Sequence, residues 1–159
     1  MKASVLIVCT GNICRSPTGE GVLREHAKRR GLDRDVRVAS AGTHGYHIGE
    51  SPDPRAIEHA ARRGYDLSEQ RASQVTRKDF EAFDFILAMD RGHLRMLRAM
   101  KPDGSRAQVG LFLDASDRWR GEDVPDPYYG GPEDFERVLD MVEEAAGRWL
   151  DRLEAAGTT

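Results

Sequence analysis

The chain has 159 residues, 24 basic and 27 acidic side chains, a formal net charge of -3 and 39% hydrophobic residues. This length predicts one domain over residues 1–159, and the near-balance of charge argues against nucleic-acid binding or an electrostatic membrane anchor. No apolar run approaches the ~20 residues that span a bilayer, and the apolar stretch at the start is too short for a signal peptide. We therefore expect a cytoplasmic protein with neither nucleic acid nor membrane as a partner.

The first half of the chain reads as strands that alternate with helices. Ser16-Pro17 is typical of a helix start, with serine as the N-cap and proline at the first helical position, and Gly31 is typical of a helix end. Asp53-Pro54 has a similar helix-start pattern, and Gly64 is typical of the end of that helix. In chain order, the predicted elements are a strand at Ser4–Val8, a helix from Ser16 to about Arg30, a strand at Val36–Ala39 and a helix from Asp53 to Gly64.

The second half continues this alternation. Phe83–Met89 is almost entirely apolar, as expected for a strand covered on both faces, and Asp90 can cap the helix that follows. A fourth strand is predicted at about Gln108–Phe112, followed by an acidic loop between Asp114 and Gly131. The last helix has apolar residues at helical spacing, namely Phe135, Val138, Leu139, Val142, Ala146, Trp149 and Leu153.

This alternation predicts the fold class. Strands separated by helices imply right-handed crossovers and a parallel sheet. The predicted fold is α/β, a single-domain, doubly wound, open parallel sheet of four strands flanked by helices, as in flavodoxin-like and Rossmann-like folds. Ligands of such sheets bind beyond the carboxyl ends of the strands, where the segment Cys9–Ser16 is expected to lie.

That segment reads Cys9-Thr10-Gly11-Asn12-Ile13-Cys14-Arg15-Ser16. It lacks the Gly-Lys-Ser/Thr end of a Walker loop, and a dinucleotide fingerprint from Gly19 would need glycine where Arg24 stands. The unpaired N–H groups of a helix start favour a bound oxyanion such as phosphate, and the guanidinium of Arg15 can bind two of its oxygens. The same field favours the thiolate of Cys9. The segment therefore predicts an anion cradle that contains a nucleophile.

The other loop residues receive more modest interpretations. Asn12 tolerates left-handed backbone and can pin a turn, and Gly11 permits close backbone approach. Ser16 has two candidate roles that are compatible with each other: it can cap the helix, and it can donate its hydroxyl to the sulfur of Cys9. Cys14, the second of only two cysteines, is either a small buried residue or a thiol that captures oxidised Cys9 as a reversible disulfide. So few cysteines, both beside the first strand, exclude a secreted disulfide scaffold.

These residues resemble the low-molecular-weight protein tyrosine phosphatases, whose signature is Cys-x5-Arg-Ser close to the N-terminus. Four further blocks carry the resemblance along the chain, namely Ser40-Ala41-Gly42-Thr43, Ser51-Pro52-Asp53-Pro54-Arg55, Phe83–Asp90 and Asp126-Pro127-Tyr128-Tyr129-Gly130. The resemblance implies hydrolysis of phosphotyrosine through a phosphocysteine on Cys9, with Arg15 holding phosphoryl oxygens. It also implies that Asp126 is the general acid, a role that composition alone leaves open among Asp114, Asp117, Glu122, Asp123 and Asp126.

The resemblance further implies a substrate site without metal or cofactor. Its binding residues would be Thr10, Gly11, Asn12, Ile13, Cys14 and Ser16 in the loop and Tyr46, Tyr128 and Tyr129 around an aromatic leaving group. The expected partners are phosphotyrosine-bearing proteins, with a tyrosine kinase as one candidate, and phosphate-like oxyanions as inhibitors. The five histidines show no paired ligand spacing with either cysteine, which argues against zinc.

Three alternatives stay open at this point. Arsenate reductases of the same fold relay a disulfide through further cysteines, but this chain has no third cysteine. Protein arginine phosphatases typically have threonine before the second loop cysteine, where this chain has Ile13, and a branched apolar group suits a phenyl ring better. A non-catalytic phosphate-binding module would be expected to lack Cys9, Arg15 or Asp126, and all three are present.

Overall fold

The computed structural model describes residues 2–157. Met1, Thr158 and Thr159, which belong to the predicted domain, lie outside the described residues. Strands and helices alternate along the chain. In order they are β1 (Ala3–Cys9), α1 (Arg15–Arg29), β2 (Val36–Gly42), α2 (Pro54–Arg62), α3 (Asp79–Ala82), β3 (Phe85–Ala88), α4 (Arg91–Met100), β4 (Gln108–Leu111), a 3-10 helix (Phe112–Ala115) and α5 (Pro132–Gly157).

The strands form one parallel sheet in the order β2-β1-β3-β4, which confirms the predicted fold class. β1 pairs with β2 over its whole length, from Ala3 opposite Val36 to Cys9 opposite Gly42. After β2 the chain crosses to the other side of β1 and forms β3. The carboxyl ends of β1 and β3 therefore flank the switch point at which open α/β sheets bind ligands.

The apolar side chains of β1 alternate between two cores. Val5 and Ile7 pack in the core beneath α1 and α5, whereas Leu6 and Val8 pack in the core that includes the buried face of α4. Burial on both faces explains why this strand has no polar alternation in its sequence. Each large aliphatic side chain buried in this way contributes about 1.5–3 kcal/mol.

The long helix α5 covers the larger core with the apolar face that the sequence predicts. All of its predicted core residues are buried, namely Phe135, Val138, Leu139, Val142, Ala146, Trp149 and Leu153. The indole N–H of Trp149 donates a 2.6 Å hydrogen bond to the carbonyl of Phe112, so the polar atom of this buried ring is satisfied.

The predicted start of α1 is wrong. The helix begins at Arg15, and Cys14 precedes it without a side-chain cap. Ser16 therefore lies inside the first turn and is not the N-cap, and Pro17 is not the first helical residue. Pro17 is tolerated because the N–H groups of the first turn have no intrahelical acceptor. Ser16 has a different set of partners, described below.

Several other boundaries differ from the prediction. β2 extends to Gly42 because its last residues pair with the end of β1, whereas β3 is limited to Phe85–Ala88. β4 ends at Leu111 because the next residue begins the 3-10 helix. The single turn α3 was not predicted.

The two predicted aspartate caps are confirmed. Asp53 accepts the backbone N–H of Arg55 at 2.8 Å, and Asp90 accepts that of His93 at 2.9 Å. Within residues 2–157, no helix combines the length and apolar character needed to cross a bilayer.

Candidate active site

The segment between β1 and α1 forms a tight loop at the switch point. Cys9 ends β1 and Arg15 begins α1, so the intervening residues fold around the N-terminus of the helix. The side chain of Cys9 is 3% exposed, and its Sγ lies 3.0 Å from the Oγ of Ser16. The sulfur is thus placed at the positive end of a helix and beside a hydroxyl.

Asn12 maintains the shape of this loop. Its backbone has φ 59°, the left-handed conformation that the sequence predicts for it. Its buried amide nitrogen donates to Ser16 Oγ at 2.8 Å and to Ser40 Oγ at 2.9 Å, and its Oδ1 accepts the N–H of Ser73 at 3.0 Å. Because Asn12 donates to the Ser16 oxygen, the Ser16 hydroxyl can donate its own proton either to the sulfur of Cys9 at 3.0 Å or to the carbonyl of Ala41 at 3.4 Å. Of the two predicted roles for Ser16, the structure supports the contact with sulfur.

Arg15 is held by groups from distant parts of the chain. It is 5% exposed, and its Nη1 donates to Asp90 Oδ2 at 2.8 Å and to the carbonyl of Val124 at 3.0 Å. Burial alone would raise the pKa of Asp90, but the N–H of His93 and the Arg15 guanidinium hold that pKa below its usual range. The ion pair fixes the plane of the guanidinium at the base of the site.

Asp126 lies at the mouth of the same site. Its Oδ2 is 3.7 Å from Arg15 Nη2, and its Oδ1 accepts the N–H of Tyr128 at 3.0 Å. The other acidic residues of this region have different positions: Asp114 accepts the N–H of Leu111, whereas Asp117 pairs with Arg148 and Asp123 with Arg91. Of these aspartates, only Asp126 lines the pocket described next.

A pocket of about 220 Å³ opens over the loop. It is lined by Cys9, Thr10, Gly11, Ile13, Cys14, Arg15, Tyr46, His47, Asp126, Tyr128 and Tyr129. All of the predicted site residues except Asn12 and Ser16 therefore line it, and those two lie behind the loop and support it. A larger cavity of about 660 Å³ lies at the amino ends of β1, β3 and β4. Among the described residues, its lining includes neither cysteine nor histidine.

Comparison with known proteins identifies the family. The family model described as low molecular weight phosphotyrosine protein phosphatase matches residues 4–158. The chain is 43% identical over 149 residues to a low molecular weight protein-tyrosine-phosphatase of Streptomyces coelicolor, covering 92% of this chain and 90% of the relative. The chain belongs to the low molecular weight phosphotyrosine protein phosphatases.

Solved structures agree with this assignment. A protein tyrosine phosphatase from Entamoeba histolytica, crystallised with Hepes in the active site, superposes with a TM-score of 0.93 at 34% identity and covers 98% of this chain and 99% of its own. The drosophila arginine phosphatase superposes with a TM-score of 0.88 at 29% identity and covers 96% and 98% respectively. Phosphatases named for two different substrates thus share the fold of this chain.

Aromatic rings surround the mouth of the phosphatase pocket. Tyr128 and Tyr129 meet edge to face with their ring centroids 4.9 Å apart, and Tyr46 stacks on His44 at 5.0 Å. Tyr129 is 94% exposed and Tyr46 is 70% exposed. Both rings therefore keep a free face toward solvent at the pocket mouth.

Cys14 is buried, at 5% exposed, and both cysteines of the phosphatase are free thiols. Burial and the neighbouring Asp53 carboxylate raise the pKa of the Cys14 thiol. This agrees with the interpretation of Cys14 as a small buried residue. A disulfide between Cys14 and an oxidised Cys9 stays a prediction.

Sequence reasoning missed several residues around the site. Asp90 was expected only as a helix cap, yet it also pairs with Arg15. His93 reaches the hydroxyl of Thr10 at 2.7 Å, and Arg55 donates to the carbonyl of Tyr128 at 2.9 Å. Each of these contacts joins segments far apart in the chain, and no local spacing signals them.

The imidazole ring of His47 packs directly over Gly11. A Cβ at position 11 would lie 2.9 Å from that ring.

Proposed function

We propose that this phosphatase hydrolyses phosphotyrosine in proteins through a phosphocysteine on Cys9. The observation that supports this most is the arrangement of one small pocket, with Cys9 and Arg15 at its base and Asp126 and three tyrosines at its rim. Residues 1–159 would act as a single phosphatase domain. The compartment would be the reducing cytoplasm, since the nucleophile must stay a free thiol.

In the first step the thiolate of Cys9 attacks the phosphorus in line with the departing phenol oxygen. An S–P bond forms, the P–O bond to the ring breaks, and Asp126 donates a proton to the phenolate. The loop N–H groups and Arg15 hold the equatorial oxygens, and the Ser16 hydroxyl, 3.0 Å from the sulfur, stabilises the thiolate.

In the second step water hydrolyses the phosphocysteine. The Asp126 carboxylate left by the first step accepts a proton from water as its oxygen attacks phosphorus. The S–P bond breaks, phosphate leaves, and the thiolate of Cys9 is restored. Asp126 therefore acts as acid and then as base, and its place at the pocket mouth suits both the phenol and the incoming water.

The charges in the pocket require Asp126 to enter the reaction protonated. A thiolate and a phosphate dianion bring about three negative charges, and the helix offers about half a positive charge against them. Arg15 adds one charge, but Asp90 at 2.8 Å already compensates much of it. A second carboxylate would add to the imbalance, so the acid form of Asp126 belongs to the productive complex. The expected rate profile is bell-shaped and centred below neutrality.

The tyrosine-lined mouth supports an aryl phosphate as substrate. Tyr46, Tyr128 and Tyr129 can contact a phenyl ring while the phosphoryl group reaches Cys9, whereas the shorter phosphoserine would not span this depth. The substrates would be phosphotyrosine-bearing proteins, tyrosine kinases among them, and phosphate-like oxyanions would inhibit.

Arginine dephosphorylation is the second candidate, because the drosophila arginine phosphatase shares this fold. Against it stands Ile13, whose branched apolar side chain lines the pocket and suits a phenyl ring better than a guanidinium. Arsenate reduction through relayed disulfides has less support, since the sequence has only two cysteines. A non-catalytic phosphate-binding module would not require Cys9, Arg15 and Asp126 together in one pocket.

A Cys9→Ser variant tests the proposal. We expect it to lose hydrolysis of a phosphotyrosine peptide while retaining affinity for inorganic phosphate, because the cradle stays and only the nucleophile changes. Stopped-flow turnover and calorimetric phosphate binding measure the two properties. Retained hydrolysis would remove Cys9 from the role of nucleophile.

A substrate comparison on the unmodified enzyme ranks the alternative functions. It measures turnover of phosphotyrosine, phosphoarginine and phosphoserine peptides of matched sequence, together with arsenate reduction.

A further inference from the structure

His93 extends from α4 to the segment that joins β1 to α1, residues 9–15, which we call the catalytic loop. It lies in the first turn of that helix, is 5% exposed, and places its ring Nε2 2.7 Å from the Oγ1 of Thr10. Thr10 is the residue directly after Cys9. Its carbonyl also accepts the N–H of His44 at 3.0 Å, so Thr10 is held through both its side chain and its backbone.

Asp90 continues this contact to the other end of the loop. Its Oδ1 accepts the backbone N–H of His93 at 2.9 Å, and its Oδ2 accepts Nη1 of Arg15 at 2.8 Å. Contacts therefore run from Thr10 through His93 and Asp90 to Arg15. They join the residue beside the nucleophile to the guanidinium that closes the loop.

The surroundings of the ring determine which nitrogen carries its proton. Burial lowers the pKa of His93 to about 4, so the ring is neutral at pH 7 and has one N–H. Nδ1 lies 3.1 Å from Asp90 Oδ1, but the two atoms are poorly aligned, and Nδ1 has no hydrogen-bond partner among the described residues. A lone pair on Nδ1 would be repelled by that carboxylate, so the proton belongs on Nδ1. Nε2 is then an acceptor, and the hydroxyl of Thr10 donates to it.

Three other charged groups influence the ring at longer range, namely Arg15, Asp126 and Asp123. Arg15 opposes protonation of the ring, and the two aspartates favour it. The resulting arrangement has a neutral ring between a hydroxyl donor and a carboxylate.

We propose that His93 is a positioning residue of the phosphatase reaction, which fixes the two ends of the catalytic loop relative to each other through Thr10 and Asp90. The inference rests on the proposed function, because it concerns the loop that would hold the transferred phosphoryl group. A loop held in this way fits the transition state before the reaction begins, so its loosening reduces kcat more than it changes KM.

Two substitutions at position 93 separate positioning from packing. His93→Leu keeps the volume and removes the polar atoms, and we expect kcat for p-nitrophenyl phosphate to fall about tenfold with KM within about threefold of the original. His93→Gln can place an amide near the former Nε2 and restore the contact with Thr10, so it should recover most of kcat. Unchanged kcat in His93→Leu, or equal losses in both variants, would overturn the proposal.

A double-mutant cycle tests whether the effect passes through Thr10. Thr10→Val removes the hydroxyl and keeps the side-chain shape. If His93 acts through that hydroxyl, adding His93→Leu to Thr10→Val should lower kcat by less than about twofold, although His93→Leu alone lowers it about tenfold. Losses that multiply independently would contradict the proposal. If His93→Leu does not fold, His93→Ala, which also removes the ring nitrogens, takes its place in the cycle.

Nitrogen NMR of the histidine ring provides a readout that needs no activity. We expect His93 in the unmodified enzyme to show a protonated Nδ1 and an acceptor Nε2 at pH 7, with the Nε2 signal shifted in Thr10→Val. A protonated Nε2 would overturn the proposal. This spectrum also separates the His93 proposal from the proposed function. Full turnover by Cys9→Ser would refute Cys9 as the nucleophile, whereas the nitrogen spectrum would still report the tautomer of His93.

Discussion

At the scale of single residues, the carboxylate of Asp90 limits how Arg15 can act. One terminal nitrogen of the guanidinium, Nη1, is committed to Asp90 and to the carbonyl of Val124. The other, Nη2, faces Asp126 at 3.7 Å across the pocket. The planar fork thus joins a structural anchor at one nitrogen to the proposed general acid at the other, a geometry that an ammonium group cannot reproduce.

Arg15→Lys is therefore expected to be severe. We expect kcat/KM for aryl phosphates to fall by about 10²-fold or more, since lysine cannot hold Asp90 and the phosphoryl oxygens simultaneously. Steady-state kinetics measure the loss. Arg137→Lys, at an exposed position on α5, is the matched control. Kinetics for Arg15→Lys that equal those of this control would remove the assigned role.

Asp126→Ala tests the proton donor. A poor leaving group needs a proton as it departs, whereas an activated nitrophenolate does not. We therefore expect the variant to lose far more activity on phenyl phosphate than on p-nitrophenyl phosphate, and to lose the alkaline limb of its rate profile for phenyl phosphate. A series of aryl phosphates at several pH values measures both effects. Equal losses across the series would indicate a different acid.

The loop residues could be chosen from the sequence because eight consecutive residues, Cys9 to Ser16, contain the proposed nucleophile, the proposed anion cradle and the cation Arg15. The left-handed Asn12 was also predictable, since few side chains accept that conformation. The partners of these residues were not. Asp90 and His93 reach Arg15 and Thr10 only because β3 lies beside β1, and that neighbourhood is a property of strand order.

At the scale of elements, the end of β2 lies directly against the catalytic loop. Gly42 pairs with Cys9 in the sheet, and the N–H of the next residue, Thr43, donates to the carbonyl of Cys9 at 2.8 Å. A Cβ at position 42 would lie 2.6 Å from the carbonyl oxygen of Thr10. Backbone meets backbone here, so the strand can approach the loop only with glycine at this point.

Gly42→Ala should accordingly displace the loop. We expect a loss of at least about 1 kcal/mol in unfolding free energy and a fall of roughly tenfold or more in kcat. Urea titration and steady-state kinetics measure the two effects. Gly147→Ala is the control, because its added Cβ meets only a side-chain nitrogen of Arg30 at 3.8 Å. Normal activity in Gly42→Ala would show that the loop tolerates the displacement.

Element types were predictable where local signals agree, as in α2 and α4, which have aspartate caps and an apolar face. Boundaries were less accessible where tertiary contacts decide them. Ser16-Pro17 has the pattern of a helix start, but the helix begins one residue earlier, at Arg15. The hydroxyl expected as a cap is occupied by Asn12 and Cys9 instead.

At the scale of the whole molecule, one buried and one half-buried histidine couple stability to pH. Burial lowers the pKa of His93 to about 4, compared with ~6.5 in an unfolded chain. Between these values the unfolded chain binds a proton that the folded chain does not. The unfolding free energy therefore decreases as the pH falls from about 6.5 to about 4. Burial also lowers the pKa of His26, which adds to the loss in the same direction.

We expect His93 and His26 to make the unfolding free energy fall steeply with decreasing pH below about 6.5, before the carboxylates are protonated. Urea denaturation at intervals from pH 7 to pH 4.5 measures the slope. His93→Gln should flatten it, and His26→Gln, with its more exposed ring, should flatten it less. Carboxylates with a lowered pKa, such as Asp90, contribute stability that is lost only at still lower pH. An unchanged slope in His93→Gln would show that other groups carry the acid sensitivity.

The three hydrogen bonds of the Asn12 amide all go to groups of the protein itself, from three separate segments. A guest anion therefore meets a receptor of fixed curvature. Molecules designed against this enzyme should gain more from rigid, tetrahedral or trigonal shape than from flexibility, and calorimetry should register their capture with little entropic penalty from the host.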